Sequence, residues 1–195
     1  MKKTIDIYTD IVCPYCLLAE HAIRDLIDEE DVSIRWHPFE LRPDPVPTLR
    51  VEDPYLPDIW DRSVYPTAKR LGVPITLPTI SPQPRTDKAF QIFAMAEEQG
   101  KGHEFNIAAM KAFFQQNQNI GDNDVLADVA ESIGLDRDEV LAALEDGVYR
   151  ATHEAAQRHA VEEAQIRSVP TIIVGNHKFT GVPRPEEFKQ ALRQL

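Results

Sequence analysis

The sequence predicts an α/β fold in which a βαβ unit and a ββα unit bracket a large all-helical insertion. Three observations predict it. Short apolar or alternating runs at Thr4–Tyr8 and Val32–Trp36 flank one amphipathic helical pattern. From Asp87 to about Gln165 apolar residues recur at helical spacing almost without interruption. After that block β character returns, with Val169–Val174 and Lys178–Thr180 ahead of a short terminal helix.

The elements follow in order. Residues 3–8 read as a buried strand with Ile5 and Ile7 on one face. The helix expected from Leu17 to about Glu29 sets Leu18, Ala22, Ile23, Leu26 and Ile27 inward. Glu20, Arg24, Asp28 and Glu29 fall on its outer face. Val32–Trp36 alternates as a second strand, so the unit is a right-handed βαβ crossover. From Arg42 to Pro57 the prolines at 43, 45, 47, 54 and 57 predict a long irregular connection. A helix is expected over Asp58–Leu71, and a second proline-rich break from Val73 to Pro84.

Within the helical block, stripes such as Ala89, Ile92, Phe93 and Ala96, then Phe105, Ala109, Ala112 and Phe113, predict core-facing helices. Gly100, Gly134 and Gly147 punctuate the block, and Asp136 with Glu139 forms a capping box. In the last segment Gly175-Asn176-His177 makes a hairpin-type turn. Pro185 opens a helix carrying Phe188, Leu192 and Leu195. The two β-rich ends must share one sheet, because separate pairs of strands would leave unpaired edges.

The chain thus divides into residues 1–50 with 166–195 as one α/β domain, and residues 51–165 as a helical lid. A length of 195 residues with 43% apolar content suffices for a sizeable core, and the net charge of −11 argues against nucleic acid or an anionic membrane as partner. No apolar run approaches the ~20 residues of a membrane span. Met1-Lys2-Lys3 is basic, but Asp6 and Asp10 interrupt what would be the apolar region of a signal peptide. A cytoplasmic location is therefore expected, where a cysteine pair is more often catalytic or metal-binding than structural.

Cys13 and Cys16 are the sole cysteines, and three-residue spacing on a first helical turn gives them one face. Three readings compete: redox exchange, a metal site and a structural disulfide. Structural zinc takes four protein ligands, and none of the six histidines completes a Cys/His spacing. His153-Glu154-Ala155-Ala156-Gln157 lacks the last histidine of a zinc-protease helix. A disulfide across three residues would close too short a loop to stabilise much.

Redox exchange explains each position. The helix N-terminus at Cys13 favours a thiolate, and Pro14 forfeits an N–H that had no partner there. Cys16, one turn further in, can resolve a mixed disulfide formed at Cys13. Gly-x-Ser-x-Gly and glycine-rich phosphate loops are absent from the sequence, which sets aside those hydrolase and nucleotide readings.

The strand–Cys13-Pro14-Tyr15-Cys16–helix, followed by a helical block and by Ser168-Val169-Pro170-Thr171 leading a strand, resembles the DsbA branch of thioredoxin-fold oxidoreductases. The likeness is greatest to the FrnE-like subfamily and runs along nearly the whole chain. It includes Asp10-x-x-Cys-Pro-x-Cys, the run His37 to Asp44, Ala112-Phe113-Phe114, Asn119-Ile120-Gly121-Asp122 and Gly134-Leu135-Asp136.

The resemblance implies a thioredoxin-like fold and a dithiol–disulfide oxidoreductase acting on protein or peptide substrates. Cys13 would attack, Cys16 would resolve, and Pro14 and Tyr15 would tune the pair. It implies a cis Val169–Pro170 peptide facing the cysteines as the substrate-binding wall. No cofactor or metal is implied, with glutathione as a candidate redox partner. Family members usually carry tryptophan where Tyr15 stands. Related glutathione-dependent isomerases and transferases of the hydroxychromene-carboxylate and kappa types share the helical insertion but place serine first in the motif. A thioredoxin-like chaperone or binding module is the non-enzymatic alternative.

Overall fold

The structure is a computed structural model and describes residues 3–28 and 32–195. The expected end of the first helix at Glu29 lies outside the described residues, as does Asp28's expected outward placement. β1 (Lys3–Thr9), α1 (Pro14–Asp28) and β2 (Val32–Pro38) form the βαβ unit. α1 opens on Pro14, three residues before the expected start at Leu17, because proline at the first helical position loses no hydrogen bond.

Among the described residues the sheet runs β2–β1–β3–β4, where β3 is Thr171–Val174 and β4 is His177–Thr180. β1 pairs parallel with β2 and antiparallel with β3, so both ends of the chain do share one sheet. Ile7 lies between Trp36 and Ile172 in register, and Ile5 between Ile34 and Val174. β3 begins at Thr171 rather than at the expected Val169, since Pro170 has no N–H to give a ladder. α9 (Pro185–Arg193) opens on its proline as expected and packs against α1.

The first helix after β2 begins at Tyr55, earlier than the expected Asp58. α2 (Tyr55–Ile59), a π-helical segment (Trp60–Val64) and α3 (Tyr65–Leu71) run on as one rod. Pro57 lies in its first turn, where backbone N–H groups have no intrahelical partner, so it does not exclude helix there. α4 (Asp87–Glu98), α5 (Gly102–Gln116), α6 (Asn123–Ser132), α7 (Arg137–Asp146) and α8 (Arg150–Arg158) follow. A second π-helical segment at His159–Glu163 extends α8. Asp136 caps α7 by accepting the Glu139 N–H at 3.0 Å, and Gly147 ends it in the left-handed region at φ 65°.

Sheet residues Ile5 and Ile7 and block residues Phe105 and Phe113 belong to one continuous buried cluster. Covering α1 on a second side changes one sequence expectation. Glu20, expected on the outer face, is buried because α5 packs over it. Arg24 Nη2 lies 2.5 Å from Glu20 Oε2 and His103 Nε2 lies 3.3 Å from Oε1. Burial opposes ionisation of Glu20, but the His103 and Arg24 hydrogen bonds hold its carboxyl below the usual range.

Candidate active site

The site forms where the parallel strands β1 and β2 end, the edge at which open α/β sheets commonly bind ligands. β1 stops at Thr9, and a tight turn brings the Cys13 N–H to the Asp10 carbonyl at 3.0 Å. The Cys16 N–H then bonds the Cys13 carbonyl at 3.0 Å, so the two cysteines straddle the first turn of α1. Beyond β2 the chain crosses the same edge. Phe39 N–H donates to Thr9 O at 2.9 Å, and Leu41 N–H donates to Asp10 Oδ2 at 2.8 Å.

Both cysteines are free thiols and both are buried. Cys13 Sγ donates to the Val169 carbonyl at 3.5 Å, and Val169–Pro170 is a cis peptide. This is the arrangement implied by the resemblance, with Val169 brought to Cys13 from 156 positions away. Pro170 is buried behind it, and its carbonyl accepts the Gly181 N–H at 2.9 Å. Burial pushes the Cys16 thiol well up, reinforced by the adjacent Cys13 sulfur and opposed by Thr9 and the Asp10 backbone.

Cys13 opens onto a cavity of about 240 Å³. Leu56, Ile59, Trp60 and Val64 of the α2–α3 rod wall it, with Phe114 of α5 and Leu49 of the proline-rich connection. Pro14 and Tyr15 form its edge beside Cys13, and the Tyr15 hydroxyl donates to Ser63 Oγ at 2.5 Å. That bond ties the dipeptide between the cysteines to the π-helical segment of the rod. Among the described residues no group of three or more His, Cys, Asp or Glu side chains could hold a metal ion, and no helix is long and apolar enough to cross a membrane.

Sequence reasoning assigned no role to Asp10, which the structure makes conspicuous. Its carboxyl is fully buried and lines the same cavity. Burial, together with the Glu40 charge, outweighs the Leu41 N–H bond and raises its pKa from 3.8 to about 6. The signal lay within Asp10-x-x-Cys, where only the cysteines had an evident chemical use. Arg42, Arg85 and the rod residues were also missed; Arg42 lay in the His37–Asp44 run, while Arg85 carried no signal at all.

A buried strand end, a cysteine pair opening a helix and a strand led by a cis proline occur together in one known family. The DSBA-like thioredoxin domain matches residues 4–193. This chain belongs to that family. The protein YwbO of Bacillus subtilis strain 168 is 44% identical over 193 residues, covering 98% of this chain and 96% of that one. Solved structures give the same fold. The probable DsbA oxidoreductase SCO1869 of Streptomyces coelicolor has a TM-score of 0.80 at 22% identity, covering 98% of this chain and 89% of its own.

A 2-hydroxychromene-2-carboxylate isomerase has a TM-score of 0.79 at 18% identity, covering 98% and 95%. The cytosolic disulfide reductase DsbM of Pseudomonas aeruginosa, solved with GSH, has a TM-score of 0.72 at 16% identity, covering 98% of each chain. At these identities the likeness is one of fold. Because a reductase and an isomerase both share this fold, the DsbA-like chain's chemistry must be argued from its own residues.

Proposed function

We propose that this DsbA-like protein is a dithiol–disulfide oxidoreductase of FrnE-like type, exchanging with protein or peptide thiols in the cytoplasm. One observation carries the reading: Cys13 Sγ faces both the Val169 carbonyl, at 3.5 Å, and a cavity, while Cys16 stands one turn behind it. The Cys13 thiolate attacks a substrate disulfide, forming a mixed disulfide and releasing one substrate thiolate. The Cys16 thiolate then attacks Cys13 Sγ, closing the Cys13–Cys16 disulfide and releasing the second. The dithiol loses two electrons, the substrate disulfide gains them, and the reverse sequence oxidises a substrate.

Cys16 needs a proton acceptor, because burial pushes its thiol up. The substrate thiolate released in the first step takes that proton, and Thr9 and the Asp10 backbone favour the Cys16 thiolate. Pro14 and Tyr15 tune the pair, and the Val169 backbone beside Pro170 pairs with an extended substrate segment in a β-like manner. Residues 51–165 act as a lid over the cysteines. Glutathione is the candidate redox partner, a reading encouraged by the GSH in the DsbM structure. Retention of Cys16 favours dithiol exchange over the isomerase chemistry of the similar fold.

The test is trapping. Cys16→Ser accumulates mixed disulfides with a thiol-bearing peptide, read by intact-protein mass, and Cys13→Ser does not. Equal trapping by the two variants removes the assignment.

A further inference from the structure

We propose that the cavity beside Cys13 serves a further substrate class: small organic disulfides bearing a ring-sized apolar body and a carboxylate near the reacting sulfur. This rests on the exchange chemistry proposed above and adds a partner to it.

The size comes first. An apolar cavity of ~150 Å³ admits benzene, so about 240 Å³ holds a substituted ring. Leu56, Ile59, Trp60, Val64 and Phe114 supply apolar walls for that body. Cys13 is only 5% exposed. A small molecule entering the cavity reaches its sulfur more readily than a folded surface docking from outside.

Charge gives the second half. Arg42 and Arg85 both line the cavity, in a chain whose net charge is −11. Arg85 Nη1 donates to the Arg42 carbonyl at 2.8 Å, which anchors its guanidinium beside Arg42. Arg42 Nη1 donates to Pro47 O at 3.3 Å. Arg85 Nη2 lies 3.5 Å from Asp44 Oδ1, but Asp44 is 87% exposed, so water screens that pair. Asp10 is the one acid among the described lining residues, and its Oδ2 is turned to the Leu41 N–H. Guanidinium groups beside an apolar wall suit a carboxylate better than a neutral or cationic head.

The step balances as before. Cys13 takes one half of the substrate disulfide and frees the other as a thiolate; Cys16 then frees the second. The prereduced protein performs one turnover without another reductant.

The experiment mixes prereduced protein with three disulfides: that of a carboxyphenyl thiol, its neutral carboxamide counterpart, and hydroxyethyl disulfide. The carboxylate reacts about fivefold faster than the carboxamide at low salt. That preference shrinks with added salt and in Arg85→Gln, and survives in Arg85→Lys. Equal rates for the carboxylate and carboxamide in the unaltered protein overturn the proposal while leaving exchange intact. If none of the three disulfides oxidises the Cys13–Cys16 pair, the exchange reading falls instead. The body is tested without thiol chemistry: phenylpropionate slows alkylation of Cys13 by iodoacetamide and propionate does not. Absence of protection by phenylpropionate overturns the ring-sized site.

Discussion

The thiol of Cys13 lies 3.5 Å from the carbonyl of Val169, a residue 156 positions further along the chain. That contact turns Cys13 toward the cavity, while Cys16 stays behind it with its thiol pushed up by burial. The two sulfurs should therefore differ in reactivity. In the reduced native protein, iodoacetamide at neutral pH should modify Cys13 at least ~100-fold faster than Cys16. Peptide mass mapping reads the ratio, and comparable labelling of Cys16 would contradict the geometry.

Asp10 should make stability pH-dependent in an unusual direction for a carboxylate. Its folded-state pKa of about 6 stands above the ordinary 3.8, so the native state binds the proton more tightly than the unfolded chain. This group's contribution is fully present below ~4 and is lost as pH rises through ~6, on the order of 3 kcal/mol. Asp10→Asn removes the titration. Its stability relative to the parent should rise between pH 4 and 7.5, measured by calorimetry. A difference that stays flat with pH refutes the assignment.

The Tyr15–Ser63 hydrogen bond links the cysteine motif to the rod that walls the cavity. Tyr15→Phe and Ser63→Ala should each destabilise by about 1 kcal/mol. Their effects should not add, because each removes the same bond. A double-mutant cycle in denaturant melts reads the coupling, and strict additivity would show the bond to be idle.

Glu40 and His153 form a buried pair, with His153 Nε2 and Glu40 Oε1 2.6 Å apart. Gln157 Oε1 accepts the Glu40 N–H at 2.8 Å, which fastens the segment just after β2 to α8. Phe90 stacks on the His153 ring at 5.5 Å. Glu40→Ala leaves His153 buried without its partner and should cost about 3 kcal/mol. Chemical denaturation checks this, and a loss below ~1 kcal/mol would show that water replaces the carboxylate.

The sequence by itself determined the order of the elements and the spacing of the motif. Period-two apolar runs at β1 and β2 and period-3.6 stripes through the block are local signals, written in consecutive residues. So are Pro185 opening α9 and Asp136 capping α7. The cysteine spacing was equally local, and resemblance supplied the cis Val169–Pro170 peptide that composition could not reveal.

Tertiary structure decided what depends on distant neighbours. Proline opposes helix in general, yet Pro57 is harmless in the first turn of α2, a position that only the fold sets. Periodicity places Glu20 outside on a helix that covers a sheet alone; α5 covers the far side of α1, and His103 supplies a partner. Asp10 had an ordinary carboxylate's appearance until burial at the strand edge raised its pKa. The cavity beside Cys13 joins Arg42, the rod, Arg85, Phe114 and Val169, none adjacent in sequence. Periodicity encodes which face of an element is apolar; only packing decides which element covers that face.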